Sequence, residues 1–138
     1  MTVYTIGYGG RGKEDVLALL RAAGVKAVVD VRLRPDRASM GIFAKAKTPD
    51  KSIKNWLREA GFEYFSFVEL GNVFTDMDDW EERYRRLLAL AGSLLTDRLG
   101  KVPTPFCLLC AEKSPDQCHR HLIAEYLAEQ GNEVVHLR

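Results

Sequence analysis

Short apolar runs alternate along this chain with stretches in which apolar residues recur every three or four positions. The first kind of pattern predicts strands and the second predicts amphipathic helices. A strand is expected over residues 2–6. A helix follows over 13–23, with Val16, Leu17, Leu20 and Ala23 on one face and Gly24 placed to end it. The second strand is Ala27 to Val31, apolar enough for burial on both faces. After a long polar loop, Thr48-Pro49-Asp50 reads as the start of a second helix whose inner face is Ile53, Trp56, Leu57 and Ala60. An aromatic strand is expected at 62–67. A third helix spans about 78–98, turning Trp80, Tyr84, Leu87, Leu88, Ala91 and Leu95 inward. Phe106 to Cys110 is the fourth strand. Ser114-Pro115-Asp116-Gln117 has the form of a capping box with Pro at the first helical position, so a fourth helix is expected from there. Its buried face is Leu122, Ile123, Tyr126 and Leu127. Gly131 closes it, and Glu133 to Leu137 forms a fifth strand.

Strict strand–helix alternation implies an α/β fold. The expectation is a single three-layer domain over residues 1–138, with a mostly parallel sheet of about five strands and helices on both faces. The pattern does not give the strand order. The length, 138 residues, suits one domain with one substantial core. With 46% hydrophobic and 28% charged residues, the composition is that of a globular protein rather than a disordered one. A net charge of +1 excludes a global field that would drive nucleic-acid or membrane binding. No apolar run approaches the ~20 residues of a membrane span, and the first residues do not read as a leader. Three cysteines, an odd number confined to the last third, argue against a disulfide framework and for a reducing cytoplasm.

In open parallel sheets, ligands bind beyond the C-terminal ends of the strands. Four segments follow those ends: 7–12, 30–37, 69–72 and 110–120. They contain most of the chemically unusual residues of the chain. Gly7-Tyr8-Gly9-Gly10-Arg11-Gly12 formally matches G-x-G-x-x-G between a strand and a helix, where glycines admit a phosphate to the backbone. A simple tight turn is the alternative reading. Asp30 and Arg32 share a strand face. They form either a structural ion pair or an anion grip, with Arg32 holding a substrate and Asp30 orienting it or acting as a base. The loop 32–54 is basic and contains Phe43 as a candidate stacking residue, which gives a weak nucleic-acid contact as a second use.

The segment Cys110-Ala111-Glu112 to Cys118-His119-Arg120 carries the most chemistry. A thiol at a helix N-terminus, beside His and Arg, has its thiolate favoured. Glu112 is a candidate acid or base. Packing of both cysteines as small apolar groups remains the bland alternative. A zinc site from Cys107, Cys110, Cys118 and His119 is disfavoured. Residues 107 and 110 point to opposite faces of a strand, and residues 118 and 119 would sit ~100° apart on a helix. No metal and no cofactor are therefore expected. His121, His136, Trp56 and Trp80 read as structural.

At these same residues the chain resembles the bacterial and archaeal family called domain of unknown function 488. The matching pieces are Thr5-Ile6-Gly7-Tyr8, Val29-Asp30-Val31-Arg32, Leu70-Gly71, Leu109-Cys110-Ala111-Glu112 and Cys118-His119-Arg120. The resemblance implies a compact α/β domain and brings no agreed activity. The leading expectation is an enzyme that hydrolyses or transfers a group on a phosphorylated or nucleotide-like small molecule. Cys110, Glu112, Cys118, His119 and Asp30 would be catalytic, and Gly7, Tyr8, Gly9, Arg32 and Arg120 would bind substrate. A non-catalytic nucleic-acid module using residues 32–54 is the second expectation, and a thiol redox protein using Cys110 and Cys118 is the third. Oligomeric state is not legible.

Overall fold

The computed structural model describes all 138 residues. Five strands, β1 (Thr2–Gly7), β2 (Ala27–Asp30), β3 (Glu63–Ser66), β4 (Phe106–Cys110) and β5 (Glu133–His136), form one sheet in the order β3-β2-β4-β1-β5. Every neighbouring pair is parallel. Four helices join them: α1 (Lys13–Ala23), α2 (Ile53–Glu59), α3 (Trp80–Leu95) and α4 (Arg120–Glu129). The α/β class and the five-stranded parallel sheet agree with the sequence reading. No helix is long and apolar enough to cross a membrane.

The sheet separates two apolar layers. α1 and α2 cover one face with Val16, Leu17, Leu20, Ile53, Trp56 and Leu57, which pack on Ile6, Val28, Cys107 and Leu109. α3 and α4 cover the other with Tyr84, Leu88, Leu122, Ile123 and Leu127, on Val3, Val29, Leu108 and Cys110. β2 and β4 lie between neighbours and under both layers, so all of their residues are buried. This is why they read as unbroken apolar runs.

Several boundaries differ from the sequence reading. α2 begins at Ile53, and its cap is Ser52, whose hydroxyl accepts from the Asn55 amide at 3.2 Å. Thr48 instead pairs with Lys51 in an isolated antiparallel bridge. The segment Pro115–Gln117 makes only a 3-10 turn, with no side-chain cap from Ser114. Cys118 is then extended (φ −131°, ψ 142°), and α4 starts at Arg120. α3 stops at Leu95, and a separate 3-10 turn covers Asp97–Lys101.

The topology also fixes where a cleft can open. β2 leads to α2 on one face of the sheet, while its neighbour β4 leads to α4 on the other. Their outgoing loops diverge, and such a switch point leaves a crevice at the C-terminal edge. The outgoing loops of β1 and β4 pass across one another instead. Gly7 and Gly9 lie at that crossing. A Cβ on Gly7 would sit 1.6 Å from the Glu112 carbonyl oxygen, and one on Gly9 would sit 2.7 Å from that of Ala111.

Candidate active site

A cavity of about 410 Å³ occupies the switch point. Arg32, Leu33, Arg34 and Arg37 line it from the loop after β2. Cys110, Ala111 and Glu112 line it from β4 and its loop, with Gln117, Cys118 and His119 just before α4. Tyr8 comes from the loop after β1, and Asn72, Thr75 and Trp80 come from the segment after β3. Segments remote in sequence therefore meet around one hollow, as the strand-end argument required.

Its floor is a sulfur–imidazole cluster. Cys118 Sγ lies 3.7 Å and Cys110 Sγ 3.9 Å from His119 Nδ1. The other ring nitrogen, Nε2, lies 2.9 Å from the Val31 carbonyl oxygen. A carbonyl can only accept, so Nε2 carries a proton and Nδ1 faces the two sulfurs. The Tyr84 ring meets the imidazole edge-on at 5.3 Å, and the Tyr84 hydroxyl donates to the Leu70 carbonyl at 2.6 Å. All three cluster residues are buried.

The two thiols are not equivalent. Burial pushes the Cys118 thiol up, but a hydrogen bond from Cys110, the adjacent His119 and the Arg120 amide outweigh it and hold Cys118 well below the usual thiol range. That amide donates to Cys118 Sγ at 3.5 Å. Cys110 donates to the Cys118 sulfur and is buried as well, and both effects keep its own proton on. Burial and the nearby cysteines also raise Tyr84. Cys107 lies wholly buried in the opposite apolar layer, on the far side of the sheet from this cluster.

Other expected site residues have different tasks. Asp30 is fully buried and does not line the cavity. Its Oδ1 accepts from the Arg32 amide and Nε, and its Oδ2 accepts from Arg32 Nη2 at 2.6 Å and the Tyr64 hydroxyl at 2.5 Å. With its lone pairs taken, it anchors Arg32 rather than meeting a substrate. Arg32 Nη1 donates to the Tyr8 hydroxyl and to the Phe43 carbonyl. Burial, followed by Asp30, holds the Tyr64 hydroxyl in its neutral form.

Arg120 is also fully buried and lines neither this cavity nor the second hollow beside Gly9. It donates to the carbonyls of Glu112 at 2.5 Å and Lys113 at 3.1 Å, and to Thr5 Oγ1 at 3.4 Å. This corrects the expectation that it grips substrate: it ties the β4 loop to α4. Gly7 serves the loop crossing rather than a phosphate. The N-terminus of α1 is occupied by Asp15, which accepts from the Gly12 amide at 3.3 Å. Gly9 borders a second hollow of about 690 Å³ with Arg11, Lys113 and Arg138.

Phe43 is fully buried and stacks on Tyr8 at 4.3 Å, so it cannot stack on a nucleobase. The geometric objection to a metal also changes. Because Cys118 precedes α4 in an extended conformation, its sulfur and the His119 nitrogen converge instead of diverging around a helix. The atoms Cys110 Sγ, Cys118 Sγ and His119 Nδ1 lie within 4.8 Å of one another. Cys107 takes no part.

The strand-end segments singled out from the sequence already contain Arg34, Arg37, Asn72 and Gln117, and both arginines were counted in the basic loop, but none of the four was named as lining a site. Thr75 lies outside those segments, and Trp80, the first residue of α3, was assigned to packing alone. Gly71 helps to bring two of these walls together, since a Cβ there would lie 2.6 Å from Leu33 Cα.

No curated protein and no solved structure matches the chain. One family profile, described as "Domain of unknown function DUF488", matches residues 13–127, from the start of α1 almost to the end of α4. With that match covering most of its length and all three members of the sulfur–imidazole cluster, the chain belongs to the DUF488 family.

Proposed function

We propose that this chain is a thiol-dependent enzyme that transfers or hydrolyses a group on a phosphorylated, nucleotide-like substrate, with Cys118 as the nucleophile. One observation carries the reading. A thiol held below its usual range contacts an imidazole held by a backbone carbonyl at the floor of a cavity whose wall carries Arg34 and Arg37. Both arginines are exposed, and no carboxylate pairs with either. They suit the anionic part of a substrate.

His119 Nδ1 takes the Cys118 proton, and the Arg120 amide stabilises the sulfur anion. The sulfur attacks the electrophilic centre, so a bond to sulfur forms as the bond to the leaving oxygen breaks. Glu112, on the cavity wall, delivers a proton to that oxygen. As a carboxylate it then takes a proton from the water that releases the transferred group and restores the thiolate. Activation by a neighbouring base and a separate proton donor are the two parts such chemistry needs.

The test uses phosphate monoesters with good and poor leaving groups, p-nitrophenyl phosphate and nucleoside monophosphates. Cys118→Ser should abolish turnover of both, and acid quenching should trap phosphorus on Cys118. Glu112→Gln should slow the poor leaving group by about 10²–10⁴-fold, the usual span for a lost general acid, and the nitrophenyl ester much less. Turnover that survives in Cys118→Ser would sink the reading.

A further inference from the structure

We propose that Cys110, Cys118 and His119 form a binding site for one thiophilic divalent cation, with zinc as the archetype, and that this ion keeps its remaining coordination position toward the cavity. Zinc–sulfur bonds of about 2.3 Å and zinc–nitrogen bonds of about 2.0–2.1 Å at tetrahedral angles place sulfur and nitrogen ligands about 3.6 Å apart. The two sulfur-to-Nδ1 separations, 3.7 and 3.9 Å, are already close to that. All three donor atoms lie within 4.8 Å of one another, so a single ion placed among them can reach each one.

The surroundings complete the site. A ligating histidine is oriented by the partner of its other ring nitrogen, and here His119 Nε2–H is held by the Val31 carbonyl. The Arg120 amide points at Cys118 Sγ, as a donor to a metal-bound thiolate would. Two thiolates and one divalent cation sum to zero charge. The buried floor would therefore hold a neutral unit, which avoids the desolvation cost of a lone buried charge. Two thiolates with one imidazole form a soft donor set that selects against magnesium and calcium. Three protein ligands with an open fourth position also distinguish this from a closed structural zinc site.

In consequence the inference rests on the function proposed above, although its geometry does not. The ion would occupy the sulfur that acts as nucleophile. Metal-bound and thiolate-active states exclude each other, so such a cation would be a reversible brake on the enzyme.

Cobalt(II) is the probe, added to the reduced, metal-free full chain. One equivalent should produce a thiolate-to-cobalt charge-transfer absorption and the intense visible bands of a tetrahedral site, and zinc should then bleach both. Cys110→Ser should weaken binding by more than about tenfold, the lower bound for loss of even an orienting partner of a ligand. Cys107→Ser should leave it unchanged. Zinc should also protect Cys118 from iodoacetamide. Absence of the charge-transfer band, in wild-type protein whose three thiols titrate as free, would overturn the site. If that same metal-free protein still alkylates rapidly at Cys118, the thiolate reading survives and only the metal site falls. If cobalt binds but metal-free Cys118 is inert, the metal site stands and the thiolate reading falls.

Discussion

Removing the Asp30 side chain should destabilise the fold more than almost any other single deletion of a polar group. Asp30 is fully buried, and its carboxylate accepts four hydrogen bonds, three of them from Arg32. Arg32 is itself 7% exposed. Asp30→Ala would leave that guanidinium without its counter-ion, and an uncompensated buried charge costs about 3–5 kcal/mol. For a chain of this size, each kcal/mol moves the melting temperature by about 3–4 °C, so a fall of about 9–20 °C is expected. Arg32→Met should cost a similar amount, since it strands the carboxylate and frees the Tyr8 hydroxyl and Phe43 carbonyl. The double variant leaves no lone charge and should cost less than the sum of the singles by up to about 3 kcal/mol. Urea unfolding of the four proteins measures this directly. If the two substitutions simply add, or if Asp30→Ala costs under about 1 kcal/mol, the pair does not hold the cavity wall as described.

The remaining expectations concern the reactive floor, the loop crossing and the far edge of the sheet. Alkylation of Cys118 should be flat through neutral pH and fall only in acid; a rate climbing toward pH ~8.5, as for an ordinary thiol, would contradict the depressed ionisation. Gly7→Ala should exceed the usual ~1–3 kcal/mol of overpacking, because its new Cβ meets a backbone carbonyl, whereas Gly100→Ala, with open space around it, should be tolerated. His136 is held below its ordinary value by burial and then by Arg120 and Arg138. As pH falls through about 6.5, the unfolded chain takes a proton that the folded chain resists, so stability declines. His136→Gln should lose less melting temperature than wild type between pH 8 and pH 5, and an equal loss would assign the acid sensitivity elsewhere.

Much of the architecture was legible because each signal was local. The apolar runs of β2 and β4 announced burial on both faces, and Gly24 announced the end of α1. The place of the site was legible too, since it follows from parallel strands alone. The start of α4 was not. Ser114 to Gln117 carries a capping signature, but the buried guanidinium of Arg120 binds the carbonyls of Glu112 and Lys113 and folds the loop back, which leaves Cys118 extended. No short-range pattern encodes that tie. The burial of Asp30 and Phe43 was hidden for the same reason: their partners Tyr64 and Tyr8 are remote in sequence. The glycines at the end of β1 were singled out for a ligand, but Gly7 and Gly9 make room first for another stretch of backbone, while Gly9 and Gly10 also border the second hollow.

The crossing of the β1 and β4 loops divides the molecule's freedom to change. On that side, glycine against carbonyl and arginine against carbonyl leave almost no latitude for substitution, and the sulfurs and imidazole are anchored there. The opposite wall includes the exposed loop side chains Leu33, Arg34, Arg37 and Thr75, together with buried Asn72 and half-buried Trp80. Exposed residues on one bank of the cavity can therefore be exchanged while the sulfurs and imidazole stay where they are, which makes this small scaffold a natural candidate for loop grafting.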